Sequence, residues 1–143
     1  FTDRLMKNTN ALNLRIRMPI TNINNPRNFI TKITNYEKIC NMPNSMTVLT
    51  ELIPISVQMM TNKETGTFNF TNPGKISHNE ILQLYKQLVD ESFTWKNFTI
   101  EEQDKILLGK RSNNLLNTSK LEAKYNVLPI HISVYNVLKN WKN

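Results

Sequence analysis

Lys110 and Arg111 form the most suggestive chemical pair in this chain of 143 residues. Ser112, Asn113 and Asn114 follow them, so a phosphate could meet a cationic fork and a rim of hydrogen-bonding side chains there. A plainer reading stands equally open: two cations after a helix end complement its dipole. The same stretch, LLGKRSNN, lacks the first glycine of a phosphate loop. Its Gly109 ends a helix where that loop would open one. The other reactive side chains assemble no centre. His78 falls in the first turn of a capped helix and reads as a surface residue. His131, between Ile130 and Ile132, reads as decoration on a packing helix. Cys40 reads as a small buried apolar group. One cysteine and two distant histidines give no metal-ligand spacing. The carboxylates fall on solvated helix faces with no pair spaced for acid–base work, and no Ser-His-Asp or Cys-His set forms. Composition and spacing alone thus show no catalytic centre.

The elements that would position these groups are legible from periodicity. Residues 1–7, FTDRLMK, place Phe1, Leu5 and Met6 on one helical face with no N-cap before them, so they read as the tail of a helix in a cut chain. Leu12, Leu14, Ile16 and Met18 alternate with Asn13, Arg15 and Arg17, the period of a strand. Pro19 should end that strand by removing a ladder donor. A short helix is predicted from Asn28, with Phe29, Ile30, Ile33 and Tyr36 on its apolar face. KICNMPNSMTV reads as extended. A helix begins between residues 48 and 50, which keeps Pro54 near its first turn. GTFNF forms a strand with Phe68 and Phe70 on one face, ending in the turn Asn72-Pro73-Gly74. Ser77 and Glu80 make a capping box for a helix carrying Ile81, Leu84, Tyr85 and Leu88. Thr99 and Glu102 make a second box, for IEEQDKILL, with Gly109 as C-cap. Asn117 or Thr118 caps SKLEAKY, and IHISVYNVLKNW is a final amphipathic helix. A helical crossover between the two strands favours parallel pairing. Two strands make a poor sheet by themselves, so the fold class is α/β with part of the sheet missing.

Composition narrows the partners. The apolar fraction of 39% supplies a core. No apolar run approaches the ~18 residues of a membrane span, and the opening residues show no signal peptide. A single cysteine fits a reducing, cytoplasmic setting. Net charge is +7, which attracts anions. Lys and Arg are scattered and no aromatics interleave with them, so a small phosphate-bearing ligand fits better than nucleic acid. Asparagine is roughly one residue in seven against the usual few per cent, the mark of an AT-rich coding sequence. In such a chain chance explains the three sequons at Asn69, Asn97 and Asn117.

Several stretches, in order, carry a family resemblance: LRIRMPI, NPRNFITKI, NSMTVLTELIPISVQM, GTFNFTNPGKISHNEIL, NFTIEEQ and RSNNLLNTSKL. Together they resemble the carboxyl half of the nucleotide-rhamnose synthase reductases, which are relatives of dTDP-4-dehydrorhamnose reductase among the extended short-chain dehydrogenases. Nearly all of the chain is covered, and NPRNFITKI with FTNPGKISHNEIL is specific to the rhamnose branch. The resemblance implies the last strands of a Rossmann sheet plus a mostly helical substrate domain. Residues 1–143 would form the sugar-nucleotide-binding portion, with the Rossmann cofactor half absent. In the full-length enzyme, NADPH or NADH would reduce the 4-keto group of a UDP- or dTDP-linked 6-deoxy-hexulose. The family's Tyr-x-x-x-Lys pair and glycine-rich turn do not stand in context here, so this chain alone should be inactive and hold no catalytic or cofactor-binding residue.

The resemblance also implies contacts. Met18 stands where bacterial relatives carry the tryptophan of an Arg-x-x-Trp pattern beside the sugar. Asn28, Phe29 and Lys32 match a loop-to-helix segment running over sugar and phosphates. Thr47 and Val48 resemble a segment lining the nucleoside. Lys110 and Arg111 fall on an Arg-Pro region where either could be the phosphate cation, with Asn114 beside them, and Asn117 replaces an aspartate as a cap. Two other readings compete: a small basic α/β module gripping RNA or a protein, and a non-catalytic regulatory subunit of a sugar-nucleotide enzyme. A homodimer, the identity of the nucleotide and accompanying epimerase activity are left open.

Overall fold

The structure, a computed structural model, describes residues 11–108 and 115–143. Its elements run β1 (Leu12–Arg15), β2 (Pro19–Ile20), α1 (Phe29–Thr34), β3 (Pro43–Asn44), β4 (Thr47–Val48), α2 (Leu49–Thr61), β5 (Gly66–Asn69), β6 (Ile76–Ser77), α3 (His78–Leu88), α4 (Ile100–Leu108), α5 (Ser119–Glu122) and α6 (Ile130–Lys139). Pairing is local and two-stranded. β1 and β5 run parallel, with Leu12 opposite Gly66 and Arg15 opposite Asn69. β2 runs parallel to β4, and β3 antiparallel to β6. The predicted parallel sense of β1 and β5 holds because α2 carries the chain back between them.

The first strand departs from its predicted end. Its ladder with β5 stops at Arg15, Ile16 turns outward, and Met18 takes a φ of 45°. That positive φ, uncommon outside glycine, redirects the chain so that Pro19 opens β2 instead of ending a strand. Proline is compatible with the first position of a strand, where its missing donor is not needed. The bend divides the apolar alternation. Leu12 and Leu14 pack on one core cluster, built on Leu52, Ile55, Met59, Phe68, Phe70 and Leu121. Met18 packs on the other, which includes Ile20, Ile30, Val48, Ile81 and Val134. Phe68 and Phe70 share a face as predicted and are buried, worth about 1.5–3 kcal/mol each relative to exposure.

Helix boundaries follow capping chemistry. Asn28 caps α1 by accepting from the Ile30 amide. The helix ends at Thr34, so Tyr36 is left exposed and is not part of the apolar face predicted for it. Pro54 is the sixth residue of α2, past the first turn. Both it and Thr50 are exposed, so the Thr50 carbonyl deprived of its bond can face water. The Thr99 box is reciprocal, with Glu102 N donating to Thr99 Oγ1 and Thr99 N donating to Glu102 Oε1, each at 3.1 Å. The Ser77 box is half made. Ser77 Oγ accepts from Glu80 N at 3.2 Å, but the Glu80 carboxylate reaches His131 instead. α5 is only four residues long; its N-cap is Thr118, whose side chain makes no cap bond, and Asn117 Oδ1 accepts from Ser119 N at 2.9 Å. The Gly109 C-cap lies outside the described residues, as do residues 1–7. No described helix is long and apolar enough to cross a membrane.

One buried amide joins the pieces. Asn72 is fully buried. Its Oδ1 accepts from Val48 N at 2.9 Å, and its Nδ2 donates to Leu128 O at 3.0 Å and to Ser133 Oγ at 2.9 Å. Its backbone N–H donates to Met46 O at 3.0 Å. Replacing it leaves the buried Val48 N–H without an acceptor, a desolvation cost of about 1–3 kcal/mol for that group alone. Asn72→Ala is therefore expected to lower stability by about 2–4 kcal/mol in urea unfolding. Asn62→Ala, which removes an exposed bond to Tyr125, should change it by less than about 0.5 kcal/mol. Equal effects from the two would contradict the joint.

Candidate functional site

Where β1 ends and β4 begins, polar groups are buried in a seam. Thr47 Oγ1 accepts from Arg17 N at 3.0 Å and donates to Phe70 O at 2.8 Å, while Thr47 N donates to Arg17 O at 2.8 Å. Arg17 Nη2 donates to Asn44 Oδ1 at 3.2 Å, and Asn44 Nδ2 donates to Met42 O at 3.2 Å. Ser45 Oγ accepts from Leu116 N at 2.8 Å, which brings the chain just past Asn114 in sequence onto the same seam. Asn44, Ser45, Thr47, Thr71 and Asn72 are all buried. Among the described residues the Thr71 hydroxyl has no hydrogen-bond partner. Burying so many polar groups is costly unless each is satisfied or serves a purpose. Of these, Arg17, Thr71 and Asn72 follow the carboxyl ends of the parallel pair β1 and β5, where ligands of such sheets collect.

The residues named from sequence are partly gathered here. Met18 precedes Pro19, which sits opposite Thr47 in the β2–β4 register, with Ile20 opposite Val48. Asn28 is buried and bonded within the protein. Its Nδ2 donates to Thr21 O at 2.8 Å and Ile23 O at 2.9 Å, and its Oδ1 accepts from Thr21 N and Ile30 N. The side chain thus knits the 21–28 loop to α1. Phe29 is in the core, edge-on to the His78 ring at 5.4 Å. Lys32 is exposed on α1. Lys110, Arg111 and Asn114 lie outside the described residues. Sequence reading passed over Arg17, Asn44, Ser45, Thr71 and Asn72 as contributors. The available signal was polar residues recurring inside the apolar stretches NSMTV and FNFTN.

Three other assignments need correction or placement. His78 is half-buried and not a surface group. Its Nδ1 lies 3.2 Å from Met42 O and 3.4 Å from Met42 N. Burial pushes its pKa below the ordinary histidine value, with the Met42 bond opposing. Cys40 is half-buried where full burial was expected. His131 is exposed and meets Glu80 Oε2 at 2.6 Å, linking α6 to α3. Tyr135 and Lys139 have the Tyr-x-x-x-Lys spacing, but both lie exposed on α6 while Val134, Val137 and Leu138 face the core. An open cavity of about 310 Å³ lies past the ends of β2 and β4, lined by Asn22, Thr50, Asn136, Val137, Asn140 and Lys142. It includes none of the residues named from sequence.

Comparison with known proteins agrees with the resemblance. No protein-family model matches the chain. It is 55% identical over 125 residues to a bifunctional dTDP-4-dehydrorhamnose 3,5-epimerase/dTDP-4-dehydrorhamnose reductase of Arabidopsis thaliana, covering 86% of this chain and 42% of that protein. It is 54% identical over 117 residues to a trifunctional UDP-glucose 4,6-dehydratase/UDP-4-keto-6-deoxy-D-glucose 3,5-epimerase/UDP-4-keto-L-rhamnose-reductase of the same plant, covering 81% of this chain and 18% of that one. The crystal structure of a UDP-rhamnose synthase from Acanthamoeba polyphaga mimivirus superposes with a TM-score of 0.88 at 53% identity, covering 98% of this chain and 50% of that one. A dTDP-4-dehydrorhamnose reductase from Yersinia enterocolitica, at 14% identity and a TM-score of 0.69, shares the fold over 97% of this chain. The chain thus has the mixed α/β fold expected of it, and it spans about half the length or less of these relatives.

The His78 environment gives a pH prediction. The folded state holds its imidazole neutral, while the unfolded chain protonates near the usual ~6.5. Unfolded molecules therefore bind more protons below that value. The His78 contribution is intact above pH ~6.5 and is lost as pH falls from there toward the lowered folded value. His78→Gln should flatten the stability-versus-pH curve below about pH 6.5, measured by urea unfolding at each pH. A variant curve parallel to the wild type would show that the ring does not titrate in this way.

Proposed function

We propose that this chain is the sugar-nucleotide-binding carboxyl portion, residues 1–143, of an NAD(P)H-dependent reductase acting on a UDP- or dTDP-linked 4-keto-6-deoxy-hexose. The product would be the nucleotide-linked L-rhamnose. The observation that carries this reading is 52–55% identity, over most of the chain, to proteins named for rhamnose-nucleotide synthesis. A buried polar seam at the ends of parallel strands supports it. In this reading Met18, Thr47 and Val48 border the ligand, Asn28 and Phe29 shape the loop over it, and Lys32 stands at its rim. Either Lys110 or Arg111 would supply the cation for the phosphates, with Asn114 beside them in sequence.

The hydride chemistry belongs to residues other than these. A nicotinamide dinucleotide needs a glycine-rich turn opening a helix. Among the described residues Gly66 opens β5, and Gly74, at a φ of 92°, lies in the turn before β6. That arrangement does not fit the cofactor, and no step through it is assigned to this chain. The reading places the protein in the cytoplasm, where its single cysteine stays reduced.

The test is substrate saturation in the longer polypeptide that carries this chain. Replacing Lys110 and Arg111 together by Ala should raise KM for the sugar nucleotide about tenfold or more. KM for the nicotinamide cofactor should hardly move. Unchanged saturation by the sugar nucleotide would remove these two cations from the site.

A further inference from the structure

We propose that the open cavity past the ends of β2 and β4 binds a sugar acid, a monosaccharide-sized ligand with several hydroxyls and one carboxylate. The site is separate from the polar seam, and the inference does not depend on the sugar-nucleotide reading above.

The walls of this cavity are tied together by the fold. Lys142 N donates to Asn22 O at 2.8 Å, and Asn24 N donates to Lys142 O at 2.9 Å. The tail after α6 therefore runs parallel to the 22–24 loop, with Ile23 bridged to Lys142. Asn22 Nδ2 donates to Asn140 O at 3.2 Å, and Asn140 Nδ2 donates to Asn136 O at 2.8 Å. These bonds occupy the amide nitrogens and leave the side-chain oxygens of Asn22 and Asn140 as acceptors. Among the described residues, the Thr50 hydroxyl and the Asn136 carboxamide make no hydrogen bond. Val137, only 3% exposed, supplies an apolar floor. Walls held in place in this way have little freedom left to lose when a ligand arrives.

The lining chemistry selects the ligand. Carboxamides and a hydroxyl both donate and accept, as the hydroxyls of a sugar require, and Val137 offers a surface to the C–H face of a ring. Charge in the cavity is one-sided. Lys142 lines it, and among the described residues no carboxylate does and none pairs with that ammonium. The amino end of α2 meets the cavity at Thr50 and the carboxyl end of α6 meets it at Asn140. Their partial charges are opposite and offset each other, so the single ammonium sets the sign. One ammonium matches one carboxylate, whereas a diphosphate carries more charge than it can balance. The volume of about 310 Å³ stands at the lower end for small-molecule pockets. It has room for one sugar ring and not for a whole nucleotide sugar.

The test compares glucuronate with glucose, which carries a hydroxymethyl where glucuronate carries its carboxylate. Both are titrated by calorimetry against the longer polypeptide that carries this chain, with and without saturating UDP. Wild type should bind glucuronate about tenfold more tightly than glucose, and UDP should displace neither. Lys142→Met should bring glucuronate down to the affinity of glucose, and Lys142→Arg should keep the preference. Asn136→Trp fills the cavity from an exposed position on α6, and it should weaken both sugars about tenfold or more. Thermal unfolding of each variant reports separately on folding, and Thr50→Trp, from the opposite wall, serves if Asn136→Trp does not fold. Wild type binding neither sugar, a preference unchanged in Lys142→Met, or affinities unchanged in the filled variant would each overturn the proposal. Displacement of glucuronate by UDP would overturn it as well, since both would then share the nucleotide site.

Discussion

The carboxamide of Asn72 holds together parts of the chain that would otherwise have no reason to meet. Through Val48 it grips the start of α2, through Leu128 and Ser133 it grips α6 and the turn before it, and through its own N–H it grips Met46. Each such bond adds only about 1 kcal/mol net, yet an unmade one in this setting costs about 1–3. The network is therefore satisfied as a unit or strongly destabilising. It also aligns residues 46–48, and Thr47 in the middle of that segment clamps Arg17. The buried amide that ties these segments together thus also sets the geometry of the polar seam.

Charge is arranged in two different ways. On the surface, Lys124 meets Glu64 at 3.0 Å and Lys38 meets Glu102 at 3.1 Å. These solvated pairs hold both carboxyls below their usual range, through Lys124 for Glu64 and first through the Thr99 amide for Glu102. Exposed pairs of this kind contribute little to stability. In the seam, Arg17 Nη2 donates to the Asn44 amide oxygen, beside the buried Ser45, Thr47 and Thr71. A net charge of +7 spread over the surface would attract an anion from a distance, while the seam would decide where it rests.

Much of the fold was legible because local chemistry and tertiary structure agree. The Thr99–Glu102 box, the Phe68–Phe70 alternation and the parallel crossover each rest on a short-range rule that nothing overrides. The departures come from long-range partners. Glu80 left its box for His131, 51 residues away. Pro19 joined a ladder because Thr47 was there to pair with it. His78 became half-buried because α1 set Phe29 against its ring. The site was less legible still. Arg17 read as the polar face of a strand, and only the fold shows that Asn44 meets its tip. Asn72 read as a turn residue, since nothing local distinguishes a turn asparagine from one that ties distant segments together.

The relatives give the seam its context, being proteins up to several times longer whose names describe rhamnose-nucleotide chemistry. The most direct measurement is a crystal structure of the full chain grown with saturating UDP. The account predicts a diphosphate resting at the buried polar seam, beside Thr47 and Thr71. A diphosphate resting instead in the cavity beside Asn22 and Lys142, or no bound nucleotide at all, would contradict it.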